Sequence, residues 1–244
     1  MTAPRPFLRP LLVWVVAAPL LAASATLCFL IAPLTGGPRA FWWVAPRYIR
    51  LVAWAFGIRR GLEGWGNLPV EIREGRQAAV FIGNHASLFD PPLIISTLPC
   101  RPVFVAKREL AWVPFLGWVI ALAGFIFIDR SRRVQALASL KRAARRIHGG
   151  QSIVAFPEGT RSLDGSLLPF KKGPFALALQ ADVPLIPIAI YGGAGILPKG
   201  DWRVGAGAYR MRVGTPILPS DGEDAEALRE KLREALSTLL VQGA

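Results

Sequence analysis

Two cysteines in 244 residues leave little room for a disulfide framework or a cysteine-built metal site. Cys28 falls in an apolar N-terminal run and Cys100 in the polar-patterned remainder, so a bridge between them is not expected. Acidic residues are also scarce, 16 against 29 lysines and arginines, for a net charge of +13. Such an imbalance calls for an anionic partner. There are no internal repeats, no long low-complexity segment, and no Gly-x-Ser-x-Gly turn of the serine-hydrolase kind. Histidine occurs only twice, at positions 85 and 148. Any proton-transfer chemistry near neutral pH therefore concentrates on very few side chains.

What the chain has in excess is apolar sequence, 52% of its residues. Leu11 to Leu34 contains no charged residue, enough to cross about 30 Å of hydrocarbon as a helix. It is longer than the core of about 7–15 residues in a signal peptide, and no clear small-residue cleavage site follows. Residues 40–58 are again apolar but carry Trp42, Trp43, Trp54, Arg47 and Arg50, a composition suited to the headgroup zone. They read as an interfacial helix or as the return leg of a hairpin entering one leaflet. Arg5 and Arg9 precede the first run; Arg39, Arg47, Arg50, Arg59 and Arg60 follow it. The larger basic cluster on the C-terminal side places the rest of the chain on the cytoplasmic face. Residues 1–60 thus read as a membrane anchor and residues 61–244 as a globular domain. With such an anchor, membrane lipids and phosphorylated substrates are the expected anionic partners, and nucleic acid is not.

Beyond residue 60, short apolar runs alternate with helical patterns, the signature of an α/β domain. Strands are expected at 78–82, 102–106, 124–128, 152–156, 184–191 and 209–213. Helices are expected at 91–98, 132–147, 173–181 and 225–240. The prolines in Val183-Pro184-Leu185-Ile186-Pro187-Ile188 suggest an edge strand or a bulge. The helix from Arg132 stops at Gly149-Gly150 and has a basic outer face, open to either solvent or phosphate; His148 at its end reads as structural.

Asn84-His85-Ala86-Ser87-Leu88-Phe89-Asp90 follows an apolar run. A carboxylate five residues after a histidine lies roughly 140° round a helix from it, so the chain must turn between them for the two to meet. Asp90-Pro91-Pro92 supplies a cap and a helix start. A lone histidine is as often structural, and an aspartate before proline as often a plain cap, so this stretch does not decide the matter by itself. Phe156-Pro157-Glu158-Gly159-Thr160-Arg161-Ser162 sits in the same way after a second apolar run. Its arginine suits a phosphate, while Glu158 is able to align Arg161 or to accept hydrogen bonds from a polyol. A strand-end turn closed by a Glu–Arg ion pair explains it equally well. Lys171 and Lys172 add cations downstream, and Lys107 and Arg130 each follow an expected strand.

Taken in order, four stretches resemble the blocks of the glycerolipid acyltransferases, most nearly the lysophosphatidate acyltransferases: residues 84–90, 124–130, 156–162 and 183–187. The resemblance covers roughly residues 75–215 and implies a mixed central sheet flanked by helices. It implies transfer of a fatty acyl group from acyl-CoA or acyl carrier protein to the sn-2 hydroxyl of lysophosphatidate. His85 would then be the general base and Asp90 its orienting partner. Glu158, Gly159, Thr160 and Arg161 would bind the glycerol phosphate, with Lys107 and Arg130 as supporting cations. Direct attack by the acceptor hydroxyl needs no acyl-enzyme, so Ser87 is expected in a turn, and neither a metal nor a cofactor is expected beyond the thioester co-substrate.

Overall fold

The computed structural model describes residues 8–129 and 133–243. Two helices come first, α1 (Leu8–Thr35) and α2 (Gly37–Ala55), reversing direction at Gly36, whose φ of 82° suits glycine. They pack against each other, and the Tyr48 hydroxyl donates to the Ala17 carbonyl at 2.9 Å. Within α1, Trp14–Thr35 is long and apolar enough to cross a membrane, and only 17% of that segment is buried. In α2 the exposed positions Trp43, Arg47, Arg50, Leu51 and Trp54 recur at helical spacing and form one stripe. The opposite side of α2 is buried through Phe41, Trp42, Val44, Val52 and Ala53.

The remaining elements are β1 (Ile58–Glu63), α3 (Val70–Arg73), β2 (Val80–Gly83), α4 (Asp90–Thr97), β3 (Val103–Lys107), α5 (Leu116–Leu122), β4 (Ile126–Ile128) and α6 (Arg133–His148). They continue with β5 (Ile153–Ala155), α7 (Gly173–Ala181), β6 (Leu185–Tyr191), α8 (Gly193–Ile196), β7 (Gly207–Val213) and α9 (Ala225–Gln242). The seven strands form one mixed sheet in the order β1-β7-β6-β2-β5-β3-β4, parallel throughout except for the β6–β7 pair. The central strands are apolar at nearly every position because both faces are covered; every residue of β2 and β5 is buried. α9 covers β6 with Leu228, Leu232 and Leu236, all fully buried, and Asp224 caps it by accepting from the Glu226 and Ala227 amides.

Two expectations change. The proline-interrupted strand is not at an edge, since β6 lies between β7 and β2, but its pairing is bulged. Pro187 fits because it stands where the antiparallel pairing slips by one residue, between Ile188↔Val213 and the Leu185↔Ile217 bridge; its carbonyl accepts from the Gly214 amide at 2.9 Å and no proline N–H is called on. Strand β1 was not foreseen at all, since Arg59 and Arg60 break its apolar pattern. It is an edge strand, where such charges are common. The basic positions Lys141, Arg142, Arg145 and Arg146 of α6 face outward, as does His148.

β2, β3, β4, β5 and β6 are parallel, so their carboxyl ends share one edge of the sheet. In open α/β sheets that edge is where ligands bind.

Candidate active site

Asn84 leaves β2 by continuing the ladder with its side chain. Its amide donates to the Ile190 carbonyl at 2.9 Å and its oxygen accepts the Ile190 N–H at 2.7 Å. The chain then turns sharply over residues 85–89 around a single oxygen. Asp90 Oδ2 accepts from the Ala86 amide at 2.9 Å and the Ser87 amide at 2.8 Å, and stands 2.8 Å from His85 Nδ1. Asp90 is therefore the first residue of α4 rather than its cap, which is Phe89. Its carboxylate points back into the loop and is completely buried, while the imidazole keeps 17% of its surface exposed. Because Oδ2 already accepts two amides, the proton in the His85–Asp90 bond belongs to Nδ1, and Nε2 carries the free lone pair. Among the described residues none bonds Nε2.

The loop after β5 completes the clamp. Phe156 stacks on the imidazole with centroids 4.2 Å apart and planes 16° apart. The Glu158 carboxylate accepts the His85 amide at 2.9 Å and the Leu168 amide at 3.3 Å, and the Ser162 amide donates to the His85 carbonyl at 2.8 Å. His85 is thus held through its ring, its N–H and its C=O. Glu158 itself is 4% exposed, and burial pushes its carboxyl up to about 7 despite the two amide bonds. Its described hydrogen bonds run to backbone, not to Arg161, so the ion pair that would explain the turn is not formed.

Ser87 is fully buried, with its hydroxyl donating to the Leu197 carbonyl at 3.0 Å and accepting from the Phe89 amide. It is a turn residue, as expected. Gly193, at the start of α8, is required beside it: a Cβ there would stand 2.7 Å from Asp90 Oδ1 and 3.2 Å from the Ser87 Cβ.

Cations gather round the β5 loop. Arg161 is half-buried next to the exposed Thr160, whose hydroxyl accepts from Lys199 Nζ at 3.2 Å. Lys171 passes over Gly159 so closely that a Cβ there would meet its Cε at 2.9 Å. Lys172 instead pairs with Glu226 on α9 at 2.7 Å. Lys107 ends β3 at the same edge as His85 but two strands away, about 10 Å at ordinary strand spacing, and pairs with Glu109 at 3.1 Å. Arg130 lies outside the described residues. Lys199, 39 residues beyond Thr160, escaped the sequence reading because no local pattern links it to the loop.

The sequence model of the acyltransferase family matches residues 63–191, more than half of the chain and all of the clamp around His85. The chain belongs to the acyltransferase family. This acyltransferase is 39% identical over 175 residues to a 1-acyl-sn-glycerol-3-phosphate acyltransferase of Limnanthes alba, covering 70% of this chain and 59% of that protein. It is 36% identical over 192 residues to the human 1-acyl-sn-glycerol-3-phosphate acyltransferase alpha, covering 77% of this chain and 66% of the relative. The chain therefore spans about three fifths to two thirds of the length of these relatives. The crystal structure of the 1-acyl-sn-glycerophosphate (LPA) acyltransferase PlsC from Thermotoga maritima superposes with a TM-score of 0.82 at 26% identity, covering 96% of this acyltransferase and 94% of that chain.

Proposed function

We propose that this acyltransferase moves a fatty acyl group from acyl-CoA or acyl carrier protein to the sn-2 hydroxyl of 1-acylglycerol 3-phosphate, forming phosphatidate. The observation that carries this reading is the buried Asp90 carboxylate on His85 Nδ1. It fixes the orientation of the imidazole, with Nε2 open at the ligand-binding edge. The names of the relatives support the acceptor.

In the reaction, Nε2 takes the hydroxyl proton as the alcohol oxygen bonds to the thioester carbonyl carbon. Asp90 stabilises the imidazolium that forms. The tetrahedral adduct then expels the thiolate, breaking the C–S bond, and His85 returns the proton to the departing sulfur. Positioned base catalysis of this kind contributes about 10²–10⁴-fold. Arg161, with Lys171 and Lys199, faces the acceptor phosphate; Lys107 and Arg130 add positive charge farther along the edge. Gly159 and Thr160 shape the turn that presents Arg161. Apart from the thioester, the transfer uses no metal or cofactor.

Residues 1–60 anchor the protein to the membrane, α1 through its apolar length and α2 through its Trp–Arg stripe at headgroup level. The basic cluster after α1 puts residues 61–244 on the cytoplasmic face. Membrane lipids then supply the acceptor directly.

The test is acyl transfer by the purified full chain, with labelled acyl-CoA or acyl carrier protein and a panel of acceptors. Lysophosphatidate should give the highest kcat/KM. No transfer to lysophosphatidate alongside good transfer to glycerol 3-phosphate or another lysophospholipid would overturn the acceptor, and no transfer to any would overturn the activity.

A further inference from the structure

Between β3 and α5 the chain makes a short 3-10 turn (Arg108–Trp112) and then a tight reversal at Val113-Pro114-Phe115. Four large apolar side chains stand out from it: Trp112 is 77% exposed, Trp118 52%, Val113 41% and Phe115 39%. Isolated exposed apolar residues need no explanation, but such a cluster within seven positions does. From Leu110 to Ile128 no residue is charged, whereas Lys107, Arg108 and Glu109 immediately precede that run.

The backbone holds this cluster outward at a cost. Phe115 has φ 60° and ψ −52°, and the Leu116 amide reaches back to the Pro114 carbonyl at 2.6 Å. This is the three-residue turn with positive φ at its centre, rare and strained for a bulky residue. Strain of this sort is retained where it serves a site. Gly117 permits the reversal, since a Cβ there would lie 2.3 Å from the Ala111 carbonyl oxygen. The Phe115 and Trp118 rings then lean together with centroids 5.4 Å apart.

We infer that Trp112, Val113, Phe115 and Trp118 form a second membrane-contact surface, a rigid aromatic wedge seated in the lipid headgroup and upper acyl region beside the active site. Three observations select lipid as the occupant. α5 packs against α1 and α2, so the wedge continues the apolar surface of the helix long enough to cross a bilayer. Tryptophan and phenylalanine flanked by exposed charged side chains, Lys107 paired with Glu109 and Arg108 with Asp129, match a lipid headgroup boundary. The wedge also leaves β3 at the edge that carries His85, so its insertion brings the site mouth to the lipid surface. The inference rests on the membrane reading of α1 and adds to it a contact that determines access of lipid substrate.

The test uses the full-length protein and vesicles of roughly three parts phosphatidylcholine to one part phosphatidylglycerol. A Trp112→Cys variant carrying an environment-sensitive fluorophore should shift its emission to the blue on mixing, while the same label at Glu234→Cys on α9 should not. Cys28 is buried and Cys100 partly so, which favours labelling at the introduced thiol. In a Trp112→Ser/Phe115→Ser/Trp118→Ser variant, the apparent KM for vesicle-borne lysophosphatidate should rise about tenfold. Its rate on a short-chain lysophosphatidate dissolved as monomers should change less than about twofold. The single Trp112→Ser variant should show the same split more weakly. No shift at position 112, or an equal loss on vesicle and monomeric substrate, would overturn the wedge. So would a variant that sediments as a smaller species in detergent yet binds vesicles normally, which would make the patch a contact between copies. If lysophosphatidate proves not to be the acceptor, the label still reports insertion, so the two readings fail separately.

Discussion

At the scale of residues, Asp90 Oδ2 is the hub on which the site turns, accepting two loop amides and the imidazole at once. Anything that displaces it by a fraction of an ångström reaches His85. Gly193→Ala puts a methyl 2.7 Å from Asp90 Oδ1; kcat should fall about tenfold or more while KM for the acceptor stays within about twofold. Steady-state kinetics check this, and a change confined to KM would contradict it. Glu158 makes a second test through stability. The unfolded chain releases this proton near 4.5, the folded chain near 7. Between those values the folded state holds the extra proton, so raising the pH favours unfolding. Thermal melts in detergent should show wild-type stability declining relative to Glu158→Gln from about pH 5 to about pH 8; parallel curves would contradict the buried carboxyl.

At the scale of elements, the sheet is held by apolar strands under α7 and α9. Leu232 is fully buried in α9, so Leu232→Ala should cost about 2–5 kcal/mol of stability. Chemical denaturation measures that loss, and the surviving folded fraction should keep its KM because Leu232 lies in the core, whereas α9 reaches the clamp through Arg233, which donates to the Leu168 carbonyl at 2.9 Å. Much of this layer was readable beforehand. β2 to β6 announced themselves as apolar runs and β7 as a short β-like run, and Gly173–Ala181 begins and ends where its flanking residues indicated. β1 was invisible because its partner β7 is far along the chain and its arginines hide the period. The prolines left an edge strand and a bulge equally open, and only the bulge is found, because local chemistry does not say how many strands flank a segment. The blocks at 84–90 and 156–162 could be seen as chemically loaded, but not that the second grips the first. The bond from the His85 amide to Glu158 spans 73 residues, and no local pattern encodes it. Lys199 was missed for the same reason.

At the scale of the whole molecule, the reactive edge, the basic surface and the apolar N-terminal hairpin belong to one design. On the proposed reading, a chain of net charge +13 is drawn to an anionic lipid surface, α1 and α2 hold it there, and His85 sits where parallel strands end. The proposed reaction depends on one proton transfer, so the most direct measurement is the single-turnover rate of acyl transfer to lysophosphatidate by the purified full chain and its His85→Ala variant. The variant should be folded, bind the acceptor with an affinity within about threefold of wild type, and transfer at least about 100-fold more slowly. A His85→Ala protein that transfers at a near-normal rate would contradict the account.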